Sequence, residues 1–233
     1  MKKLAALVLL SLLGKITSAQ ILIAVLFGDK LNTDKLEFGL VVSPSLTNIT
    51  GIDGNYKPAV NLGLYFNIKL TDRLFLSPQA IAKASFGAKN IPPYPTGNDS
   101  LDYIFAKGSV QRNIQALSLP LMIHYRITGR LFAEGGFQAD LLLKAKDNFR
   151  IKSDDDQLVY TTKVTDKLRR LDLGATGGLT YKFKTDKGMG VGIRYLYGLT
   201  DIIKPQTGSQ VNSVWLLNIT IPIGSGKSGQ QPG

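Results

Sequence analysis

The 233 residues contain one imidazole, His124, and no cysteine. Thiolate metal sites, iron–sulfur clusters, disulfide frameworks and cysteine nucleophiles are excluded, and so is a multi-histidine metal site. A histidine-assisted hydrolase needs a nucleophile or activated water beside the imidazole and a group that orients it. Ser118 shares a strand face with His124, but six residues of strand separate them by roughly 20 Å at about 3.3 Å per residue. Ser118 is therefore not the partner; a Ser or Asp on a neighbouring strand stays open. We expect His124 to join an internal hydrogen-bond network, and the sequence assigns no catalytic, cofactor-binding or metal-ligating residue. Asp154-Asp155-Asp156 lacks the spaced oxygen ligands and glycine of an EF-hand loop and reads as a solvated acidic loop. Gly188-Met189-Gly190-Val191-Gly192 sits within an extended pattern with no helix after it, so a phosphate-binding turn fails. These glycines fit strand bending and close packing. Ile91-Pro92-Pro93-Tyr94-Pro95 reads as a stiff extended piece of a loop.

The elements that must hold these residues begin after a targeting segment. Lys2 and Lys3 precede an apolar run, residues 4–13, too short to span a bilayer, and Thr17-Ser18-Ala19 offers small residues for cleavage before Gln20. Residues 1–19 are expected to be a signal peptide. Its removal takes Lys2, Lys3 and Lys15 away, and the formal charge falls from +11 to +8. Export from the cytoplasm argues against nucleic acid as the partner of this basic chain.

Beyond residue 20 no stretch reaches 18 consecutive apolar residues, and period-two alternation dominates. Residues 60–70 show it most plainly: Val60, Leu62, Leu64, Phe66, Ile68 and Leu70 share one face. Similar patterns cover residues 36–46, 74–87, 116–126, 131–144, 170–183, 189–199 and 211–223, which makes eight expected strands. Short turns at 71–73, 128–130 and 184–187 alternate with long connectors near 48–57, 88–113, 145–168 and 201–210. That is the connector pattern of an outer-membrane barrel, with turns in the periplasm and loops outside. In hydrocarbon every backbone N–H and C=O needs a partner within the protein, so the sheet has to close. The expected fold is all-β, an eight-stranded antiparallel up-and-down transmembrane β-barrel over residues 36–223. It follows a periplasmic segment, 20–35, and precedes a polar tail, 224–233. A soluble lipocalin-type barrel also alternates; strand length and the mixed charges on one face favour lipid.

Phe27-Gly28-Asp29-Lys30-Leu31-Asn32 leading to Leu36-Glu37-Phe38-Gly39-Leu40, then Leu117-Ser118-Leu119-Pro120-Leu121, Ala133-Glu134-Gly135-Gly136, and Arg194-Tyr195-Leu196-Tyr197-Gly198-Leu199-Thr200-Asp201 resemble the PorT-type outer-membrane β-barrel proteins. The resemblance implies a cell outer-membrane location and an accessory role in protein secretion or gliding, with no catalytic residues carried over. The last strand departs from many such barrels by closing on Ile223 rather than an aromatic residue.

An eight-stranded barrel is filled by its own side chains. The inward set is expected to bring Lys69, Lys83, Arg126, Lys144, Arg170, Lys182 and Arg194 together with Glu134, Asp140 and Asp172 as a salt-bridge network. Tyr181, Phe183, Tyr195, Tyr197 and Trp215 are the candidate interface anchors. The expected function is a non-enzymatic membrane barrel in contact with outer-membrane lipid and a protein partner. A lipid-modifying hydrolase and a small-solute channel are the alternatives.

Overall fold

A computed structural model of the chain describes residue 33 and residues 35–153, 156–184, 188–203 and 209–223. The expected signal peptide, most of the 20–35 segment, Asp154-Asp155 and the 224–233 tail lie outside the described residues. The elements are β1 (Leu36–Ile49), β2 (Lys57–Lys69), β3 (Leu74–Phe86), a short helix α1 (Asp99–Phe105), β4 (Ser109–Arg126), β5 (Leu131–Ser153), β6 (Asp156–Lys163), β7 (Leu171–Lys182), β8 (Gly190–Gly198) and β9 (Asn212–Pro222).

Every pairing is antiparallel. The order runs β1-β2-β3-β4-β5-β7-β8-β9, and β9 returns to β1, so eight strands close a ring. No edge is left within the ring, as hydrocarbon requires. The ninth strand, β6, stands outside it and pairs only with the far half of β5, from Lys146↔Lys163 to Ser153↔Asp156. The expected 145–168 loop is thus largely a hairpin, and the end of the 88–113 connector belongs to β4. Strands of 18 and 23 residues, β4 and β5, far exceed the 9–11 needed to cross a bilayer and project beyond its outer face.

The outward face is apolar. Leu119, Leu121, Ile123 and Tyr125 occupy successive outward positions of β4, all half-exposed, and Phe137 on β5 is 69 % exposed. Contiguous apolar surface of this kind is matched to lipid and not to water. Aromatic rings mark both ends of the band. Tyr181 and Phe183 lie at the periplasmic end of β7, 6.0 Å between centroids, while Tyr195 and Trp215 lie near the opposite end, 4.7 Å apart.

Two bulges interrupt the alternation. In β3 the register slips between Ile81 and Ala84, so Ala82 and Lys83 are both exposed, whereas Ala84 and Phe86 are buried. In β5 the partner of Gln115 is Lys144 but the partner of Ala116 is Leu142, so Leu143 and Lys144 both face outward. A bulge inserts one unpaired residue, and past it each side chain changes sides. This corrects the sequence reading of both strands. Ala84 and Phe86 line the interior, and Lys83 and Lys144 leave it.

Candidate functional site

The lumen is built in two layers. Its periplasmic half is polar. Arg194 on β8 forms a bidentate pair with Glu134 on β5, Nε–Oε1 3.0 Å and Nη2–Oε2 3.2 Å, and donates from Nη1 to Gln79 Oε1 at 3.3 Å. His124 on β4 sits directly opposite Glu134 in the ladder, with Nε2 3.3 Å from Oε2. A second cluster lies closer to the periplasm. Lys182 Nζ donates to both oxygens of Glu37 at 2.9 and 3.1 Å, and the Tyr65 hydroxyl donates to Oε1 at 3.1 Å. Tyr65 lies over Gly39, where a Cβ would come within 2.6 Å of its ring, so glycine in β1 makes room for this aromatic bridge. Below it the Arg126 guanidinium sits over the rings of Phe75 and Phe132, 5.2 and 5.3 Å from their centroids.

The outer half is apolar. Ile49, Ile81, Phe86, Val110, Ile114, Leu142, Phe149, Leu196 and Val214 belong to one buried cluster that extends into the loops through Ile91, Phe105, Val164, Leu168 and Ile202. The loop from 87 to 108 folds over the mouth. Ile91 bridges to Val110, α1 is capped by Asn98, and Phe105 packs edge-to-face against Phe149, 6.1 Å between centroids. One ion pair fastens this lid. Arg112 Nε and Nη2 donate to Asp147 at 2.9 and 2.6 Å, and the Tyr94 hydroxyl donates to Asp147 Oδ2 at 2.6 Å. Burial and the neighbouring carboxylate push the Tyr94 phenol well above its usual range. Asp147 itself is fully buried.

The structure sorts the ten residues expected to face inward. Lys182, Arg194, Glu134, Asp140 and Asp172 are buried in the lumen, and Arg126 is partly buried at its floor. Lys83 and Lys144 are turned outward by the bulges, and Arg170 is exposed on the bend before β7. Lys69 is half-exposed at the periplasmic rim, bridged to Asp72 at 2.7 Å. A continuous charged network therefore does not fill the barrel; the Glu134 and Glu37 clusters occupy the periplasmic half, and the outer half is mainly hydrocarbon with the Asp140–Asp172 and Arg112–Asp147 pairs set into it. Asp140 and Asp172 stand opposite each other, with Ser118 across from Asp140 on the other side. Asp172 accepts from Thr200 Oγ1 at 2.5 Å and from Asn212 Nδ2 at 2.7 Å. Ser118 is buried beside Asp140 rather than near His124, in agreement with its distance along the strand. Among the described residues no group of three or more His, Asp and Glu side chains could hold a metal ion.

Sequence reasoning missed Glu37, Arg112 and Asp147. Glu37 alternates correctly within its strand, and its partner Lys182 lies 145 residues away, a distance no local pattern spans. Arg112 and Asp147 fell in segments read as loops. The β5 bulge decides their contact: in the register of the lower half Arg112 would oppose Lys146, and the one-residue slip brings Asp147 there instead.

An eight-stranded closed ring with an apolar outer belt, aromatic girdles and a filled interior defines an integral outer-membrane barrel. The family model described as outer membrane protein beta-barrel domain matches residues 19–204, and the chain belongs to that family. Its place is the cell outer membrane. No curated protein matches the sequence. Among solved structures the chain is similar to Ail, the attachment invasion locus protein of Yersinia pestis, in complex with the heparin analogue sucrose octasulfate. The identity is 10 %, over 81 % of this chain and 99 % of that one, with a TM-score of 0.43. Neisserial surface protein A gives 7 % identity over 80 % and 96 %, TM-score 0.41, and OprG from Pseudomonas aeruginosa 13 % over 80 % and 91 %, TM-score 0.31.

Proposed function

We propose that this barrel is a non-enzymatic, non-conducting anchor of the PorT type. It holds its outer loops and rim for a protein partner of a secretion or gliding system. The observation that carries the reading is the stoppered outer mouth. An apolar cluster and the Arg112–Asp147–Tyr94 clasp occupy the path a solute would take, while β4, β5 and β6 rise past the membrane as a three-stranded sheet. Within that sheet β6 pairs with β5 alone, and Leu158 and Val159 are about half-exposed. A strand with one free edge suits the addition of an extended segment from another protein. The position of His124 supports the non-enzymatic part. Its imidazole lies inside the lumen, against Glu134, with no serine or threonine hydroxyl bonded to it among the described residues.

The test combines two measurements on the full chain. In planar bilayers we expect no unitary conductance; steady channels would replace this reading with the small-solute channel. A photo-crosslinking side chain at Leu158 is expected to yield a protein adduct in native outer membranes, and one at lipid-facing Ile123 none. Absence of adducts from both the outer loops and the periplasmic turns would overturn the anchor role. His124→Ala is expected to leave membrane lipid composition unchanged, and altered lipid acylation would favour a hydrolase.

A further inference from the structure

The outward face of the projecting sheet carries one sign of charge. Past the β5 bulge Ala145, Asp147 and Phe149 point inward and are buried, so Lys144, Lys146, Asn148, Arg150 and Lys152 share the opposite face. On β6 the register adds Lys163 opposite Lys146, Thr161 opposite Asn148, Val159 opposite Arg150 and Gln157 opposite Lys152. On β4 it adds Gln115, Asn113, Gln111 and Ser109, opposite Lys144, Lys146, Asn148 and Arg150 in turn. Five cations therefore lie on this face, and none of the described residues on it is an acid. None of the five forms an ion pair with a described residue. Lys146 and Lys163 stand directly across the ladder from one another, an arrangement of like charges that destabilises a sheet unless an anion lies between them.

We propose that this face binds the phosphate groups of anionic glycolipid headgroups in the surrounding outer leaflet. The occupant follows from where the face begins. Leu143, which looks into the lipid, and Lys144 are the two outward residues of a single bulge, so the cations start at the upper limit of the apolar belt and continue upward from it. Lys83, turned out by the second bulge on β3, adds a sixth cation two strands away, roughly 10 Å around the wall. Same-face neighbours along β5 are about 6.8 Å apart and adjacent strands about 4.8 Å, so one phosphate can meet Lys146 together with Lys144 or Lys163, and another Arg150 together with Lys152. Gln115 flanks Lys144 with an amide, while Gln111 Nε2 donates to Asn113 Oδ1 and Asn113 also accepts from Lys57 Nζ. A soluble polyanion would be equally served by charge on the loop tips. Here the charge runs along the wall, with Lys144, Lys146 and Lys163 nearest the top of the apolar belt.

The test uses the full chain in detergent, loaded with bisphosphorylated lipid A and washed on an affinity resin, with retained lipid measured as phosphate. Wild type is expected to retain lipid A in a salt-sensitive manner, and dephosphorylated lipid A far less. Each Lys or Arg near an anionic surface contributes about fivefold in binding. The variant K144Q/K146Q/R150Q/K152Q/K163Q should therefore lose roughly two orders of magnitude or more. A charge-matched variant at the periplasmic rim, K35Q/K69Q/R73Q/R130Q/K184Q, should lose much less. Heat-modifiable gel migration confirms that each variant is folded; should the fivefold outer variant not fold, K146Q/K163Q carries the same comparison with a loss of about 25-fold. Equal loss in the outer and periplasmic variants overturns the proposal. So does equal retention of dephosphorylated lipid, or tighter binding of a soluble sulfated polysaccharide to the same face.

Discussion

Replacing Glu134 with alanine removes the one carboxylate that two basic side chains share. Both Glu134 oxygens are engaged by Arg194, and His124 Nε2 lies 3.3 Å from one of them. After the change the guanidinium keeps only Gln79 Oε1, 3.3 Å away, in a lumen where Arg194 is 3 % exposed. A buried charge left without its partner costs about 3–5 kcal/mol, which shifts the folding constant by about two to nearly four orders of magnitude. The exposed pair Lys69–Asp72 is shorter, at 2.7 Å, yet its loss in Asp72→Asn should cost less than about 1 kcal/mol, because water screens it. The double variant Glu134→Leu/Arg194→Met removes both charges and should recover most of the loss of the single one. Urea titration of the protein in phospholipid vesicles measures all four, read from the fluorescence of Trp215, the only tryptophan. If Glu134→Ala stays within about 1 kcal/mol of wild type, or the double variant is as unstable as the single, the lumen is wetter than the packing implies and the reasoning fails.

Three further outcomes are expected. Phe149→Ala empties the centre of the outer plug and should cost about 3–5 kcal/mol in the same titration, with intermittent conductance appearing in planar bilayers where wild type is silent. Gly87 has φ +124°, and a Cβ there would run into the Arg112 carbonyl. Gly87→Ala should cost about 1–3 kcal/mol or more, seen as a lowered unfolding midpoint. Hydrogen bonds from the Thr96 amide and hydroxyl to Asp102 hold its carboxyl below the usual range. The lid's contribution from this residue is therefore complete above the ordinary aspartate pKa, about 3.9, and fades as pH falls through the lower folded value. Hydrogen exchange at Thr96 should quicken only in strong acid, whereas Asp102→Asn should show fast exchange at every pH.

The ring was legible in the sequence because lipid imposes a uniform rule. Each outward position from Leu117 to Tyr125 is apolar, so alternation recovers the strand and its two faces, and strand length with the charges on the other face recovers which one meets lipid. The lumen follows no such rule, since a position there is judged by a neighbour on another strand. His124 and Glu134 were within reach: the short turn at 128–130 sets the β4–β5 register and places them opposite one another. Glu37 with Lys182, on strands that meet only across the lumen, was not. The two bulges defeated the reading of Lys83 and Lys144 for a plainer reason. Ala82-Lys83 and Leu143-Lys144 contain no glycine or proline to announce a break, and the slip is visible only in the partner strands. The β6 hairpin was missed because its alternation, unlike that of the lipid-facing strands, separates polar from partly covered rather than polar from apolar.

The single unpaired residue in β5 also governs what this gene tolerates. Losing one codon at position 143 is an in-frame change of the mildest type. Lys144 would then follow Leu142 in regular alternation and still oppose Gln115, so Asp147 and Phe149 would stay in the plug and Lys146 and Arg150 outside it. Position 143 thus carries a spare residue, and shortening the polypeptide there removes the kink without turning either arm of the strand over.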